Sequence, residues 1–301
     1  MKLKGYIYAA IAAAAYGTNP IFAKPLYAEG MNPDSVLLFR YLLALILMGV
    51  IMLGSALKKH KSIPEAFHVG KHSLPQLVLM GLLMSASSIL LFMSYNFMPV
   101  GIASTLLFVY PIMVAVIMTL CFHEKMSWLV VFCLTLASVG VAMLCNTSGD
   151  SDSSYDSVSF MTGFALVMAS SLSYAIYLVG LNKTRIRTVA SMPVTFYVLL
   201  FGLSIYIVRI AFGVPLVLPH TATMWFNCLA LGIFPTVISL VFTSLAIQCI
   251  GSTQTALFGA FEPLTAVCLG VMILGENISL HECIGMILIL VAVSLVVKFR
   301  G

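Results

Sequence analysis

Long apolar runs separated by short polar stretches dominate the chain. Ten of these runs are long enough for membrane helices, because about 20 mostly apolar residues cross the ~30 Å hydrocarbon core of a bilayer. They lie at residues 5–28, 34–57, 75–97, 101–122, 126–146, 159–181, 192–212, 224–249, 252–275 and 280–298. They lack the strict alternation of apolar and polar residues that marks barrel strands. The pattern therefore predicts an all-α polytopic membrane protein with ten transmembrane helices.

The composition supports a membrane protein. Of the 301 residues, 61% are hydrophobic and 8% are charged, whereas a soluble domain carries about 25% charged residues. The net charge of +5 does not indicate nucleic-acid binding, because the Lys and Arg residues flank the apolar runs. In that position basic residues report the orientation of membrane helices. We therefore expect a lipid bilayer as the environment and no nucleic-acid partner.

Two stretches of the chain repeat each other. Pro111 and Glu124 recur as Pro263 and Glu276, each 152 residues later. The stretches 5–16 and 163–174 also correspond, and their end residues are both 158 positions apart. Two halves with the same internal order indicate a duplication.

A polar, Ser- and Asp-rich linker at residues 147–158 divides the chain into residues 1–146 and 159–301, each with five apolar runs. Because five is odd, the second half enters the membrane from the opposite side. The sequence thus predicts a 5+5 inverted-topology repeat, with an extracytoplasmic linker. Repeats of this kind recur in secondary transporters, which bind substrate near the midplane between the repeats.

The basic residues set the expected orientation. If the N-terminus is cytoplasmic, 12 of the 15 Lys and Arg residues fall on the cytoplasmic side, as cytoplasmic loops prefer. Both chain ends are then predicted to be cytoplasmic. The other three basic residues, Lys24, Arg40 and Arg209, lie inside apolar runs near their outer ends.

These features together resemble a known family. The ten-segment inverted duplication and the spacing of Pro111 to Glu124 and of Pro263 to Glu276 are similar to those of the EamA-type transporters of the drug/metabolite transporter superfamily. The Glu262-Pro263 pair resembles the second repeat of that family. The resemblance implies a carrier of the inner membrane with a central cavity lined by both halves. Family members move amino acids, other small metabolites, drugs or nucleotide sugars, often as exporters.

Glu262 is the leading candidate for a functional side chain. It lies near the middle of the run 252–275 and precedes Pro263. A carboxylate at the bilayer centre costs about 2.5 to 3.5 kcal/mol, so it must face protein or water. We expect it to be a proton-sensitive group or a partner for a cationic part of the substrate. The alternative is a structural acid at a helix break, where Pro263 leaves a carbonyl without its donor. The position 152 residues earlier is Tyr110.

Arg40 admits two interpretations. It lies a few residues inside the second apolar run, at a depth from which the side chain could snorkel to the outer surface or join an outer-gate ion pair. Alternatively, it binds a carboxylate of the substrate. For Lys24 and Arg209, anchoring at the outer interface is the leading interpretation.

Several other polar side chains lie inside the apolar runs at positions that could line a cavity. Asn19 and Pro20 form a helix-breaking cluster with Tyr16, and the run from Ser170 to Tyr174 is its repeat partner. Interrupted helices at corresponding positions point to the binding site of inverted-repeat carriers, but Ser, Thr and Asn also hydrogen-bond helices to each other. The remaining cavity candidates are Ser88, Tyr95, Thr236 and Ser239.

The sequence therefore favours a secondary transporter that exports a small polar metabolite, such as an amino acid, by alternating access through a central cavity. Its expected partner is a small-molecule substrate, with or without coupled protons. The sequence has no GxxxxGK[ST] motif, which argues against direct use of ATP. We expect no cofactor, no metal site and no enzymatic activity, since the apolar runs carry one central acid and no catalytic His spacing. An intramembrane receptor or scaffold and a membrane-embedded enzyme are the alternatives.

Overall fold

Helices form the regular structure of the described residues. The computed structural model describes residues 2–58, 67–98, 103, 106–145, 157–274 and 280–300. The helices are α1 Lys2–Gly17, α2 Asn19–Ala28, α3 Pro33–Lys58, α4 Leu74–Ser94, α5 Tyr110–Phe122, α6 Trp128–Cys145, α7 Ser157–Lys183, α8 Ser191–Ala211, α9 Ala222–Gly232, α10 Ser239–Ile250, α11 Ser252–Phe258, α12 Phe261–Leu274 and α13 Leu280–Arg300. A π-helical turn, Ile233–Ile238, joins α9 to α10. Glu276 and all of the predicted linker before residue 157 lie outside the described residues.

Five helical stretches are long and apolar enough to cross a membrane. They are Pro33–Lys58, Leu74–Ser94, Phe160–Lys183, Ser191–Ala211 and the continuous stretch Ala222–Ile250. Shorter apolar helices lie at Tyr110–Phe122, Trp128–Met143 and Cys283–Leu295. The chain is thus an all-helical membrane protein across the part that the structure describes.

Several predicted segments are broken rather than continuous. The first run divides at Thr18, between α1 and α2, and Pro20 lies in the first turn of α2, where its missing N–H costs no helical hydrogen bond. The ninth run divides at Gly259 and Ala260, between α11 and α12. In contrast, α7 is continuous through Ser170–Tyr174, so the break in the first run has no counterpart there.

The two halves of the chain interlock. In the most extensive helix contacts, a helix before residue 146 packs on a helix after residue 156: α6 on α13, α4 on α7 and α8, α1 on α10, and α3 on α8. The break between α11 and α12 faces α1, which packs on both of them, and α5, which packs on α11. A site at this break is therefore enclosed by helices from both halves.

Large apolar side chains cover the outside of the protein. Leu120, Phe132, Ile207, Phe226 and Leu290 are all exposed. A monomeric soluble protein rarely exposes so much contiguous apolar surface, whereas hydrocarbon chains solvate it well. These side chains therefore form the surface that faces lipid.

Candidate functional site

Glu262 lies at the start of α12, directly after the break in the ninth run. Gly259 and Ala260 form the turn, and the Glu262 amide donates to the Gly259 carbonyl oxygen at 2.8 Å. The N-terminal turn of a helix favours a carboxylate, because its free N–H groups carry partial positive charge. Pro263 is the third residue of α12, where an N–H has no partner within the helix. A helix break thus lies next to Pro263, and the Gly259 carbonyl oxygen, four residues before the proline, accepts from the Glu262 amide instead.

The partner of Glu262 is its own repeat counterpart. The Tyr110 hydroxyl donates to Glu262 Oε1 at 3.4 Å, and 152 residues separate the two positions. Tyr110 is the first residue of α5, after a turn at Phe108 and Val109, so both residues begin a helix that follows a break. Two repeat-related helix starts thus meet at one point between the halves.

Two glycines allow this close approach. A Cβ atom on Gly259 would overlap the Tyr110 hydroxyl and would lie 2.8 Å from its ring carbon Cζ. A Cβ atom on Gly17 would overlap the Glu262 carbonyl oxygen and lie 2.8 Å from Thr265 Cβ. The end of α1 therefore lies directly against the first turn of α12.

Two further tyrosines complete the surroundings of Glu262. The Tyr174 ring of α7 packs edge-on against the Tyr110 ring, with the centroids 4.8 Å apart. Tyr16, at the end of α1, interacts electrostatically with both Glu262 and Arg40. Tyr16 and Tyr174 are also repeat counterparts, being 158 residues apart. The cluster of Tyr16, Tyr110, Tyr174 and Glu262, which we call the tyrosine–glutamate cluster, thus contains two repeat-related pairs.

A small void adjoins the tyrosine–glutamate cluster. Its volume is about 10 Å³, enough for about one water molecule. It is lined by Ala9, Ala12, Ala13, Tyr110, Tyr174, Leu178, Thr243, Thr255, Ala256, Gly259 and Glu262. A metabolite can occupy this position only after the surrounding helices separate.

Arg40 is buried between the halves, and the prediction that it snorkels or joins an outer-gate ion pair was wrong. The residue is 1% exposed. Its Nε donates to Thr236 Oγ1 at 2.6 Å, Nη1 to Asn19 Oδ1 at 3.4 Å, and Nη2 to the Pro235 carbonyl oxygen at 3.0 Å. The guanidinium carbon lies 5.6 Å from the centroid of the Tyr16 ring. The side chain points inward because α2 and the π-helical turn cover that face of α3.

The other cavity candidates are spread more widely. Ser170 donates to the Ser87 carbonyl oxygen at 2.7 Å and therefore joins α7 to α4. Ser88 lies within 3.3 Å of the Tyr41 hydroxyl. Tyr95 follows the end of α4 and packs on Phe92, with the ring centroids 5.5 Å apart.

Of the two candidates in the eighth run, Thr236 contacts Arg40 directly, whereas Ser239 is buried at the start of α10. The structure therefore brings Glu262, Tyr110, Tyr174, Tyr16, Arg40, Asn19 and Thr236 into one region. It does not bring Ser88, Ser170 or Tyr95 into direct contact with Glu262 among the hydrogen bonds of the described residues.

Sequence reasoning missed two groups near the site. Tyr41, beside Arg40 in α3, is 1% exposed and packs edge-on against Tyr206, with the centroids 5.0 Å apart. The Pro235 carbonyl oxygen, in the π-helical turn, accepts from Arg40 Nη2 at 3.0 Å. A tyrosine in a predicted span is a visible signal, but a carbonyl that accepts from a side chain has none in the sequence.

Polar contacts join the halves at one end of the protein, which we call the Asp34 end. Arg209 Nε and Nη2 donate to Asp34 Oδ1 and Oδ2 at 2.5 and 3.2 Å. The Thr221 hydroxyl donates to Glu29 Oε2 at 3.1 Å. Two further bonds across the halves run from Asn32 Nδ2 to the Pro215 carbonyl oxygen and from the Val217 amide to Ser35 Oγ.

The opposite end, which we call the Glu124 end, contains a chamber. Its volume is about 270 Å³. Polar residues line most of it: Lys2, Glu124, Lys125, Asn182, Arg187, Ser252, Thr253 and Gln254. Glu124, in the first half, forms an ion pair with Lys183, in the second, at 2.8 Å. Polar contacts thus join the halves at both ends, and the Glu124 end also holds a polar chamber large enough for a small solute.

The arrangement suits binding more than covalent chemistry. A carboxylate, a guanidinium and three phenol groups converge from several helices, and such groups can orient a polar solute. Among the described residues, no cluster of three or more His, Cys, Asp or Glu side chains could hold a metal ion.

Comparison with known proteins identifies relatives along the full length. The family model described as "EamA-like transporter family" matches residues 3–146 and again residues 161–298. An uncharacterized transporter of Clostridium kluyveri is 23% identical over 291 residues, which cover 96% of this chain and 91% of the relative. An uncharacterized transporter of Synechocystis sp. is 26% identical over 225 residues, which cover 71% of this chain and 64% of the relative.

A solved crystal structure has the same fold. It superposes with a TM-score of 0.81, covers 99% of this chain and 98% of its own, and is 14% identical in sequence. At this level of identity the likeness concerns the fold alone.

Proposed function

Because this chain belongs to the EamA-like transporter family, we propose that it is a secondary transporter that exports a small polar metabolite across the cytoplasmic membrane. The observation that carries the proposal is the bond between Tyr110 and Glu262, which places a carboxylate where helices of both halves converge. An acid in a membrane span is costly and usually serves transport or binding. Its position between the halves is where inverted-repeat carriers bind their substrates.

The proposed architecture is a 5+5 inverted repeat, with residues 1–146 and 159–301 as the two units. Three observations support it. The family model matches the chain twice, once in each unit. The breaks before α5 and before α12 fall at corresponding positions of the repeat. The packing of α1 on α10 is mirrored by that of α7 on α4, as a twofold relation between the units requires.

Alternating access then follows from the unequal ends. The Asp34 end is closed by the ion pair of Asp34 with Arg209, whereas the Glu124 end holds the 270 Å³ chamber. The distribution of basic residues supports a cytoplasmic Glu124 end, with both chain termini on that side. We therefore interpret this conformation as closed toward the exterior, with its chamber on the cytoplasmic side. In the transport cycle the contacts of the Asp34 end open while the chamber closes.

Glu262 is proposed to be neutralised during the cycle, either by a proton or by a cationic part of the substrate. Its surroundings are largely aromatic and apolar, and the adjoining void holds about one water molecule. An unpaired carboxylate is unfavourable in such a place. The closed arrangement around Glu262 is therefore more stable when Glu262 is neutral, and the charged form is favoured when the halves separate and water enters.

Counterflow of labelled metabolites in proteoliposomes tests the function. The purified full chain is expected to exchange at least one class among amino acids, organic acids, amines and sugars, whereas protein-free liposomes exchange none. Glu262→Gln is expected to reduce exchange at least about tenfold or to remove its pH dependence, with unchanged membrane insertion, and Glu262→Asp should keep part of the activity.

Two results would count against this proposal. Absence of exchange for every class would favour a receptor, scaffold or membrane enzyme over a carrier. Wild-type flux with an unchanged pH profile in Glu262→Gln would remove Glu262 from the mechanism.

A further inference from the structure

Arg40 is a buried cation whose partners are all neutral. Its three hydrogen-bond acceptors are a hydroxyl, an amide oxygen and a backbone carbonyl. Four acidic side chains of the described part bond elsewhere: Asp34 to Arg209, Glu29 to Thr221, Glu124 to Lys183 and Glu262 to Tyr110. None of these four carboxylates forms a hydrogen bond or ion pair with Arg40.

The local fold does not need this charge. Thr236 Oγ1, which itself donates to the Leu231 carbonyl oxygen, and the Pro235 carbonyl oxygen accept from Arg40, and a neutral amide side chain can also donate to such acceptors. A buried charge is retained at a cost unless a counter-ion compensates it. The charge of Arg40 therefore indicates a partner that arrives and leaves.

The geometry around Arg40 fits a carboxylate. A guanidinium has five N–H donors in a rigid planar fork that matches a carboxylate in two-point contact. The bonds to Thr236, Asn19 and Pro235 use three of these donors. The acceptors lie on both halves of the chain, so separation of the halves exposes the guanidinium in the same interface that contains Glu262.

We propose that Arg40 binds the carboxylate of the transported substrate, so that the substrate is a small organic acid or a zwitterion such as an amino acid. This inference rests on the proposed transport function and specifies its substrate class. Tyr16 adjoins both groups: its ring centroid lies 5.6 Å from the Arg40 guanidinium carbon, and it interacts electrostatically with Glu262. A zwitterion can therefore direct its carboxylate toward Arg40 and its ammonium group toward Glu262.

Competition in the counterflow assay tests this assignment. Carboxylate-bearing members of the panel are expected to exchange, and each should compete at least about tenfold more strongly than its own carboxamide, since a charge-assisted hydrogen bond is worth a factor of this order. Arg40→Gln is expected to abolish the preference for the acid while leaving competition by the carboxamide unchanged. Lys24→Gln, which removes an exposed cation of α2, is the matched control and should behave like the wild type.

A second variant tests the assignment if Arg40→Gln does not fold. Arg40→Lys keeps the charge but not the planar fork, and it is expected to raise KM for the acid with little change for the carboxamide. A folded Arg40→Gln protein that still prefers the acid would overturn the assignment, as would exchange by the wild type of amines or sugars alone. Absence of exchange for all classes removes the transport function itself, and this inference with it.

Discussion

Gly259→Ala tests the packing that brings Tyr110 to Glu262. The backbone of Gly259 is in the right-handed helical region, with φ −54° and ψ −22°, so alanine is compatible with its conformation. Any destabilisation must then come from the added methyl group. That methyl would overlap the Tyr110 hydroxyl, and it would also lie 2.8 Å from Tyr110 Cζ and 2.9 Å from the Ala256 carbonyl oxygen.

Tyr110 has little room to retreat. It is 2% exposed, and its ring is held between those of Phe108 and Tyr174 at centroid distances of 5.9 and 4.8 Å. Overpacking of this kind costs about 1–3 kcal/mol. Loss of the long Tyr110–Glu262 hydrogen bond adds at most about 1 kcal/mol. We therefore expect Gly259→Ala to lower the free energy of unfolding by about 1–4 kcal/mol.

Removal of the hydroxyl should rescue part of this loss. In the double variant Gly259→Ala/Tyr110→Phe the worst overlap disappears, but the contacts with Cζ and with the Ala256 carbonyl oxygen remain. The two changes should therefore couple by about 1–2 kcal/mol, within the range for residues in contact. The measurement is equilibrium unfolding in mixed detergent micelles of the wild type, both single variants and the double variant.

Gly54→Ala is the matched control. Nothing lies within 4 Å of a Cβ atom at Gly54 in α3, so alanine there should stabilise the protein by up to about 1 kcal/mol through its helix propensity. If Gly259→Ala behaves like Gly54→Ala, or if the effects at Gly259 and Tyr110 simply add, the close contact between α5 and the α11–α12 break is refuted.

Two further predictions concern contacts between the halves. Asp34→Asn should lower the free energy of unfolding by about 0.2–1 kcal/mol, because the Arg209 side chain is 34% exposed. The exchanged pair Asp34→Arg/Arg209→Asp should recover part of this loss. An unchanged free energy of unfolding in Asp34→Asn would argue against closure by this pair. Ser170→Ala should lower the free energy of unfolding by about 1 kcal/mol, because the lost hydroxyl joins α7 to Ser87 in α4. The KM measured by counterflow should stay unchanged. A raised KM would place Ser170 in the substrate site instead.

The class of protein and the main acid were accessible from the sequence. Long apolar runs predict membrane helices directly, and the shared offset of 152 residues is enough to pair Tyr110 with Glu262 as repeat counterparts. Whether these two residues touch depends on how the two halves pack against each other. That arrangement is seen in the packing of α5 on α11 and could not be predicted from the sequence.

The environment of Arg40 could not be predicted. Distance along a helix gives the depth of a residue, and the expectation of snorkelling rested on depth alone. The direction of the side chain depends on which neighbours cover that face of α3. These neighbours are Asn19 at the break in the first run and Thr236 in the π-helical turn. The spacing of apolar residues along the chain does not specify where either interruption falls.

The site lies close to helix breaks rather than in regular helices. Asn19, Tyr110, Thr236 and Glu262 each lie at or beside a break. Broken helices leave backbone groups without partners, which membrane proteins tolerate only in contact with protein or with a water-filled cavity. The clustering of four breaks therefore locates the polar interior of the protein independently of any single side chain.

Accessibility of a cysteine at position 255 tests the central claim that a solute pathway passes between the halves beside Glu262. Thr255 is 7% exposed and lines the void next to Glu262, and Thr255→Cys keeps its size. In proteoliposomes of fixed orientation, with the native cysteines replaced by alanine, a membrane-impermeant methanethiosulfonate reagent is applied to one side at a time. Alternating access predicts modification from both sides, slowed by a transported substrate. Modification from neither side, or from one side only under all exchange conditions, would contradict the account.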